Sequence, residues 1–258
     1  MNLVLFAEQE LRSGILQLAD VRAEHIRKVL RIKPGDRLRL GMINGRLGQG
    51  TVLSLDTAAV RIAVQLDREP PPAPAVELIL ALPRPIMLQR ILKQAATLGA
   101  ARIHLIRSAK VEKSFFHSPA LRPEKITERL LEGLAQAAVD TRLPEVRIHP
   151  QFKIFIQDVV PELDGCGLLA HPGVSASLPE VFPEQRDQRI LLAIGPEGGW
   201  NDFEVSCFLA QGFAAFSLGS RILHVDTAVA VLLGQLQLLR ATYPWPELNK
   251  SGRSSVCG

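Results

Sequence analysis

Cysteine is scarce in this chain of 258 residues: Cys166, Cys207 and Cys257 are widely spaced, with no CxxC pair among them. An odd, scattered set supports neither a disulfide framework nor a zinc site, and it fits a reducing compartment. Aromatic residues make up only 5%, and none interleaves the basic residues of 22–39, which argues against a base-stacking platform of the RRM type there. No apolar run approaches the roughly 20 residues that a membrane-spanning helix needs. The start, MNLVLFAEQELRSG, lacks the basic n-region and long apolar core of a secretory signal. The usual phosphate and nucleophile signatures are missing too: GxxxxGK[ST], a GxGxxG after a strand, and GxSxG. These absences predict a soluble cytoplasmic protein with no bound metal.

What is present is a real core and an excess of positive charge. Apolar residues make up 47% of the chain, the net charge is +4 and the pI is about 9.2. That balance is compatible with a polyanionic partner. Pro70, Pro71, Pro72 and Pro74 mark the clearest break in composition, an extended connector between two parts. The pattern predicts a small β-barrel over 1–70, a linker at 71–76, an α/β domain over 77–246 and a flexible tail at 247–258.

Before the prolines, 36–42, 45–55 and 59–66 alternate apolar and polar residues at period two, with KPGD and INGR as turns. RAEHIRKVLRIKPG (22–35) interrupts with helical spacing and carries Arg22, Arg27, Lys28 and Arg31. One basic side on a small barrel suits an RNA backbone, because phosphate contacts supply most non-specific affinity. A solvated helix face explains the same charges. After the prolines the pattern becomes strand, helix, strand, helix, which argues for a parallel sheet covered on both faces. Lys93 belongs to a second basic stretch there, spanning 84–129.

In open parallel sheets, ligands sit outside the carboxyl ends of the strands. Three late strands end in unusual loops: LLAHPG, AIGPEGG and SLGSRILHVDTA. Glycine lets a ligand approach the main chain closely. Glu197 inside the glycine turn would repel a phosphate but tolerate a ribose hydroxyl or a cation; alternatively, it accepts backbone hydrogen bonds and fixes the turn. Asn201 with Glu204 has the spacing of a capping box, so a helix starts at the turn's exit. DTAVAVLLGQLQLLR is apolar almost all round and predicts a buried helix, capped by Asp226 or Thr227.

IGPEGGW followed by SLGSRILHVDTA resembles the paired carboxy-terminal motifs of the RsmE family, SPOUT-class methyltransferases that act on uridine N3 of 16S ribosomal RNA. HIRKVLRIKPGD, LPR (82–84), LKQAATLGA and RLPEVRIHP are similar to the family's other segments, in order, nearly end to end. The resemblance implies an amino-terminal PUA-like β-barrel and a carboxy-terminal α/β trefoil-knot domain. It also implies a homodimer, a 30S ribosomal subunit as substrate, and S-adenosylmethionine held by the knot. The cofactor contacts it implies are Leu169, His171 and Pro172; Ile194, Gly195, Glu197 and Gly198; and Leu218, Gly219, Ile222, Leu223, His224, Asp226 and Thr227.

The chain departs from the family pattern at Gln136, Asp140, His224 and Asp226, and the arginine expected at 140 is absent. Uridine N3 carries a proton at neutral pH, so the chemistry needs a base or a cation that stabilises the uracil anion. Arg142 and Arg84 are the candidates for that cation. Asp140 is expected to be a solvent-exposed carboxylate at a helix end. Two other readings stay open: the same fold methylating a different RNA nucleotide, and a non-catalytic RNA-binding paralogue.

Overall fold

Period-two alternation over the first part of the chain builds a curled sheet. The computed structural model describes residues 2–73 and 75–241, so the tail expected at 247–258 lies outside the described residues. Strands β1 (Val4–Phe6), β2 (Leu11–Arg12), β3 (Ile15–Leu18), β4 (Arg37–Met42), β5 (Leu47–Leu55) and β6 (Val60–Arg68) run in the order β1-β4-β5-β6-β3-β2. β1 and β4 are parallel, and all the other neighbours are antiparallel. Asn44 turns the β4–β5 hairpin at φ +58°, a left-handed conformation that asparagine tolerates.

The basic interruption folds as α1 (Val21–His25), capped by Asp20, and runs into a π-helical turn over Ile26–Leu30. Ala23 and Ile26 point into the core that the sheet curls around, beside Phe6, Leu16, Leu40 and Ile62. Arg22 turns inward as well. Its guanidinium meets the Glu10 and Asp20 carboxylates and the Leu5 carbonyl, so its charge is spent inside the fold.

β1 serves two cores. Val4 and Phe6 face the curled sheet, whereas Leu3 and Leu5 belong to the core of the second part, because successive side chains of a strand point to opposite faces. The junction is also hydrogen-bonded. The amides of Asn2 and Leu3 donate to the Ala135 carbonyl, Asn44 N–H to the Thr141 carbonyl at 2.8 Å, and Arg39 to the Ala138 carbonyl at 2.7 Å.

The second sheet comprises β7 (Val76–Ala81), β8 (Arg102–Ile106), β9 (Glu145–His149), β10 (Cys166–Ala170), β11 (Ile190–Ile194) and β12 (Ala214–Phe216). Its order is β12-β10-β11-β7-β8-β9, and every pairing is parallel. β7 and β11 are buried along their whole length, as central strands covered on both faces must be. The order reverses between β11 and β7, which makes that junction the switch point of the sheet.

Helices α2 (Pro85–Thr97), α3 (Pro123–Ala137), α4 (Phe152–Ile154), α5 (Leu178–Val181), α6 (Asp202–Ala210) and α7 (Val225–Ala241) complete the chain. α2 and α3 approach so closely that a Cβ on Gly133 would lie 2.3 Å from the Lys93 carbonyl oxygen.

α7 departs from the sequence expectation in two ways. Val229, Leu232, Leu233 and Leu236 are buried, but Val231 is 36% and Leu238 61% exposed. One face packs into the core and the other is partly exposed. The helix also begins at Val225, before both expected caps. Asp226 instead accepts from Thr227 N–H and stands 3.9 Å from Arg90.

Candidate functional site

Three strand ends converge on one cavity of about 230 Å³. After β10 come His171 and Pro172, after β11 the turn Gly195–Trp200, and after β12 the loop Ser217–Leu223, with Val225 and Ala228 of α7 behind. The loops hold one another: His171 N–H donates to the Phe216 carbonyl, Ser217 N–H to Ala176, and Gly199 N–H to Pro196. Gly199 and Gly219 have φ of +70° and +103°, which an L side chain adopts only under strain.

The cavity brings together His171, Pro172, Ile194, Gly195, Glu197, Gly198, Leu218, Gly219, Ile222 and Leu223 of the expected set. It does not include Leu169, His224, Asp226 or Thr227. Leu169 is fully buried within β10, so no side-chain contact with a ligand in the cavity is open to it. His224 and Thr227 are exposed around the start of α7.

Trp200 forms the floor, 5% exposed and edge-on to Phe208 at 5.1 Å. Gly195 sits beneath it, and a Cβ there would lie 3.2 Å from the indole and press on the ring. Two buried polar atoms on the lining residues have no partner among the described residues, Nδ1 of His171 and Nε1 of Trp200. Buried donors and acceptors are almost always satisfied, so these two fit a ligand with polar edges of its own. A largely apolar slot with unpartnered nitrogens, one carboxylate (Glu197) and one cationic residue (Arg221) suits a heterocycle bearing hydroxyls and charged groups.

Glu197 lies across the switch point. Its Oε1 is 3.4 Å from the amide nitrogen of Arg84, which follows β7. A neighbouring clamp joins β8 to the same turn. Glu204 completes the expected capping box with Asn201, and its buried carboxylate also accepts from Ala109 N–H at 2.7 Å and faces Ser108 Oγ at 3.3 Å. Lys110, held by that clamp, donates to the Gly198 carbonyl at 2.7 Å. Neither Lys110 nor the cavity face of Trp200 was singled out from the sequence. The signal for Lys110 was only one basic residue among ten in its stretch.

Arg84 therefore stands at the rim, and Arg142 does not. Arg142 donates to the carbonyls of Pro70 and Pro71 at the junction of the two parts, with Asp140 3.8 Å away. Asp140 is only 8% exposed, contrary to the solvent-exposed carboxylate expected. It accepts from the amides of Thr141 and Arg142 and so fixes the turn after α3.

The basic side chains of the first part divide as well. Arg27 donates to the Asp56 carbonyl, Lys28 pairs with Glu24, and Arg31 is exposed at a left-handed φ of +52°. Lys93 stands 3.6 Å from Glu132 of α3.

A second charged cluster lies at the opposite end of the sheet. Glu77, 2% exposed, faces Arg102, Arg189 and His104. Burial pushes its carboxyl up, but the bonds from His104 and Arg189 and the charge of Arg102 together hold it below the ordinary range. His104 stacks on His149, and burial with the neighbouring positive groups pushes His149 down to about 4.

The model of an RNA methyltransferase domain matches residues 69–237, and that of an RNA methyltransferase PUA domain matches 18–64. The chain is 32% identical to the ribosomal RNA small subunit methyltransferase E of Treponema pallidum, over 95% of this chain and 96% of that one. Its fold is similar to that of a crystal structure of ribosomal RNA small subunit methyltransferase E from Neisseria gonorrhoeae bound to S-adenosyl methionine. The TM-score is 0.74 at 21% identity, covering 92% of this chain and 98% of that one. A putative methyltransferase from Legionella pneumophila, in complex with the same cofactor, matches with a TM-score of 0.73 at 21% identity over 92% and 97%. The anticipated arrangement, an α/β methyltransferase domain behind a PUA-like amino-terminal part, is the one found.

Proposed function

Because the chain belongs to the ribosomal RNA small subunit methyltransferase E family of RNA methyltransferases, we propose that it transfers a methyl group from S-adenosylmethionine to N3 of a uridine in 16S ribosomal RNA. The observation that supports this reading best is the cavity at the three strand ends, with its two unpartnered ring nitrogens and the carboxylate of Glu197. His171, Pro172, Ile194, Gly195, Leu218, Gly219, Ile222 and Leu223 would hold the cofactor, and Glu197 would take the ribose hydroxyls or lie near the sulfonium. The cofactor supplies an electrophilic methyl group on sulfur. The chain orients the acceptor, excludes water and stabilises charge on the uracil ring.

The curled amino-terminal part, residues 1–70, offers Arg27, Lys28 and Arg31 to the RNA backbone, where phosphate contacts position a substrate without reading its sequence. The linker (71–76) and the α/β domain (77–246) then place the uridine at the cavity mouth. The active form is a cytoplasmic homodimer. Ile86 of α2 and Val231 of α7 are exposed apolar side chains on helices that pack against each other, and a second copy would cover them.

The test is methyl-labelled S-adenosylmethionine with purified protein and 30S subunits from a strain lacking the modification, followed by nucleoside analysis. Label in 3-methyluridine is the expected result. Label in another nucleoside gives a changed target. Cofactor and RNA binding without label gives a binding paralogue.

A further inference from the structure

Resting on that reading, we propose that Lys110 is the catalytic cation of this chain: its ammonium meets a uracil carbonyl beside N3 and stabilises the anion that accepts the methyl group. Arg142, the position suggested by sequence, has its guanidinium on the Pro70 and Pro71 carbonyls away from the cavity. Arg84 reaches the rim through its main chain, and its exposed side chain is not fixed by any bond among the described residues. Lys110 is anchored by its ammonium on Gly198, a residue that lines the cavity.

The anchor is a chain of contacts from the core outward. The buried carboxylate of Glu204 grips Ala109 N–H and Ser108 Oγ, which fixes the segment that follows β8. From there the Lys110 side chain crosses the glycine turn, and a Cβ on Gly198 would meet its Cδ at 2.9 Å. An ammonium carries three donors. One is used on the Gly198 carbonyl, and among the described residues no carboxylate forms an ion pair with Lys110. Two donors and an uncompensated charge remain.

Position argues in the same direction. The cofactor cavity lies at the ends of β10, β11 and β12, while Arg84 and Lys110 follow β7 and β8 on the other side of the switch point. The acceptor must approach from the side not filled by the strand-end loops, so it meets the β7 and β8 ends. The charged groups facing it there are Glu197, Arg84 and Lys110, with Glu204 buried behind. Arg221 lines the cavity from the opposite side, in the loop after β12 that the acceptor does not approach.

In the step itself, the N3 proton passes to water, and the electron pair left on N3 forms the bond to the methyl carbon. The carbon–sulfur bond breaks and its pair stays on sulfur. Charge develops on N3 and is shared with the adjacent carbonyl oxygens. A cation already held in place stabilises it without reorganising.

The experiment compares the wild type, Lys110→Gln and Lys110→Arg as full-length proteins on 30S subunits lacking the modification. Single-turnover rates are read between about pH 6 and 9.5, and cofactor affinity is followed separately by intrinsic tryptophan fluorescence. Glutamine keeps a donor for the Gly198 carbonyl but no charge. Lys110→Gln is expected to bind the cofactor like the wild type, to be slower by about 100-fold at neutral pH, and to recover as pH rises. Lys110→Arg is expected to retain most of the rate. Subunits substituted with 5-fluorouridine, whose N3 is more acidic, should restore much of the loss in Lys110→Gln. A Lys110→Gln rate equal to the wild type, or a loss that is the same at every pH and on both substrates, overturns the assignment. A wild type that labels no uridine overturns the parent reading, and the assignment falls with it.

Discussion

The carboxylate of Glu204, at the start of α6, accepts a hydrogen bond of 2.7 Å from the amide of Ala109, 95 residues earlier and just beyond β8. The same side chain closes the capping box with Asn201. One buried group thus terminates a helix and pins the loop of a strand two places away in the sheet.

Glu204→Ala should therefore cost more than a surface cap. Losing the cap is worth about 1 kcal/mol, and a buried amide left unpaired adds about 1–3 kcal/mol. Urea unfolding should show a combined loss of about 2–4 kcal/mol. A loss no larger than that of an exposed cap would mean that Ala109 finds another acceptor.

Gly195→Ala tests the floor of the cavity. Its Cβ would press on the Trp200 indole at 3.2 Å, so the ring must shift into the space proposed for the cofactor. The expected result is a cofactor Kd raised by about tenfold, roughly 1.4 kcal/mol, with the melting temperature changed little. Calorimetric titration of the variant checks it, and unchanged affinity would place the ligand elsewhere.

Arg22 and Arg31 should separate fold from RNA binding. Arg22→Ala leaves the Glu10 and Asp20 carboxylates and the Leu5 carbonyl without their partner, and should cost about 1–3 kcal/mol of stability. Arg31→Ala should leave stability nearly unchanged, weaken 30S binding and lower the salt slope by about one. Equal effects of the two substitutions on RNA binding at fixed stability would contradict this division.

Arg142→Ala should loosen the junction of the two parts and leave chemistry alone. Losing the bonds to Pro70 and Pro71 should lower stability by about 1–2 kcal/mol. Cofactor affinity and kcat should stay at the wild-type level. A fall in kcat at unchanged stability would restore Arg142 as a candidate for the acceptor site.

The histidine pair gives the fold a dependence on pH. His149 is pushed down to about 4 from an ordinary 6.5, so the unfolded chain binds a proton more readily than the folded one between those values. The contribution of this group to stability is then full above about pH 6.5 and declines as pH falls towards 4. Burial shifts His104 in the same direction. His149→Phe keeps a ring against His104 and Phe155 and should flatten the decline in melting temperature over that range. An equally steep decline in the variant would assign it to other groups.

Much of this molecule was legible in its sequence, because much of it is local. Period-two alternation placed β4, β5 and β6, and Asn44-Gly45 placed the hairpin between β4 and β5. Asn201 and Glu204 announced α6, and the glycine-rich strand ends announced the cavity. Each of these depends on conformational preferences over a few neighbouring residues. α7 shows the limit, since its apolar residues signalled burial but could not say which face a single chain covers.

What only the tertiary structure decided is who meets Glu197 and its turn. The Arg84 amide comes from 113 residues away and the Lys110 ammonium from 88, while Arg142, a cation expected at the chemistry, holds the junction with the first part and Asp140 fixes the turn beside it. Parallel pairing of β11 with β7, and of β7 with β8, sets those meetings. The register of parallel strands is fixed by burial of whole faces against the helices, and no local pattern encodes it.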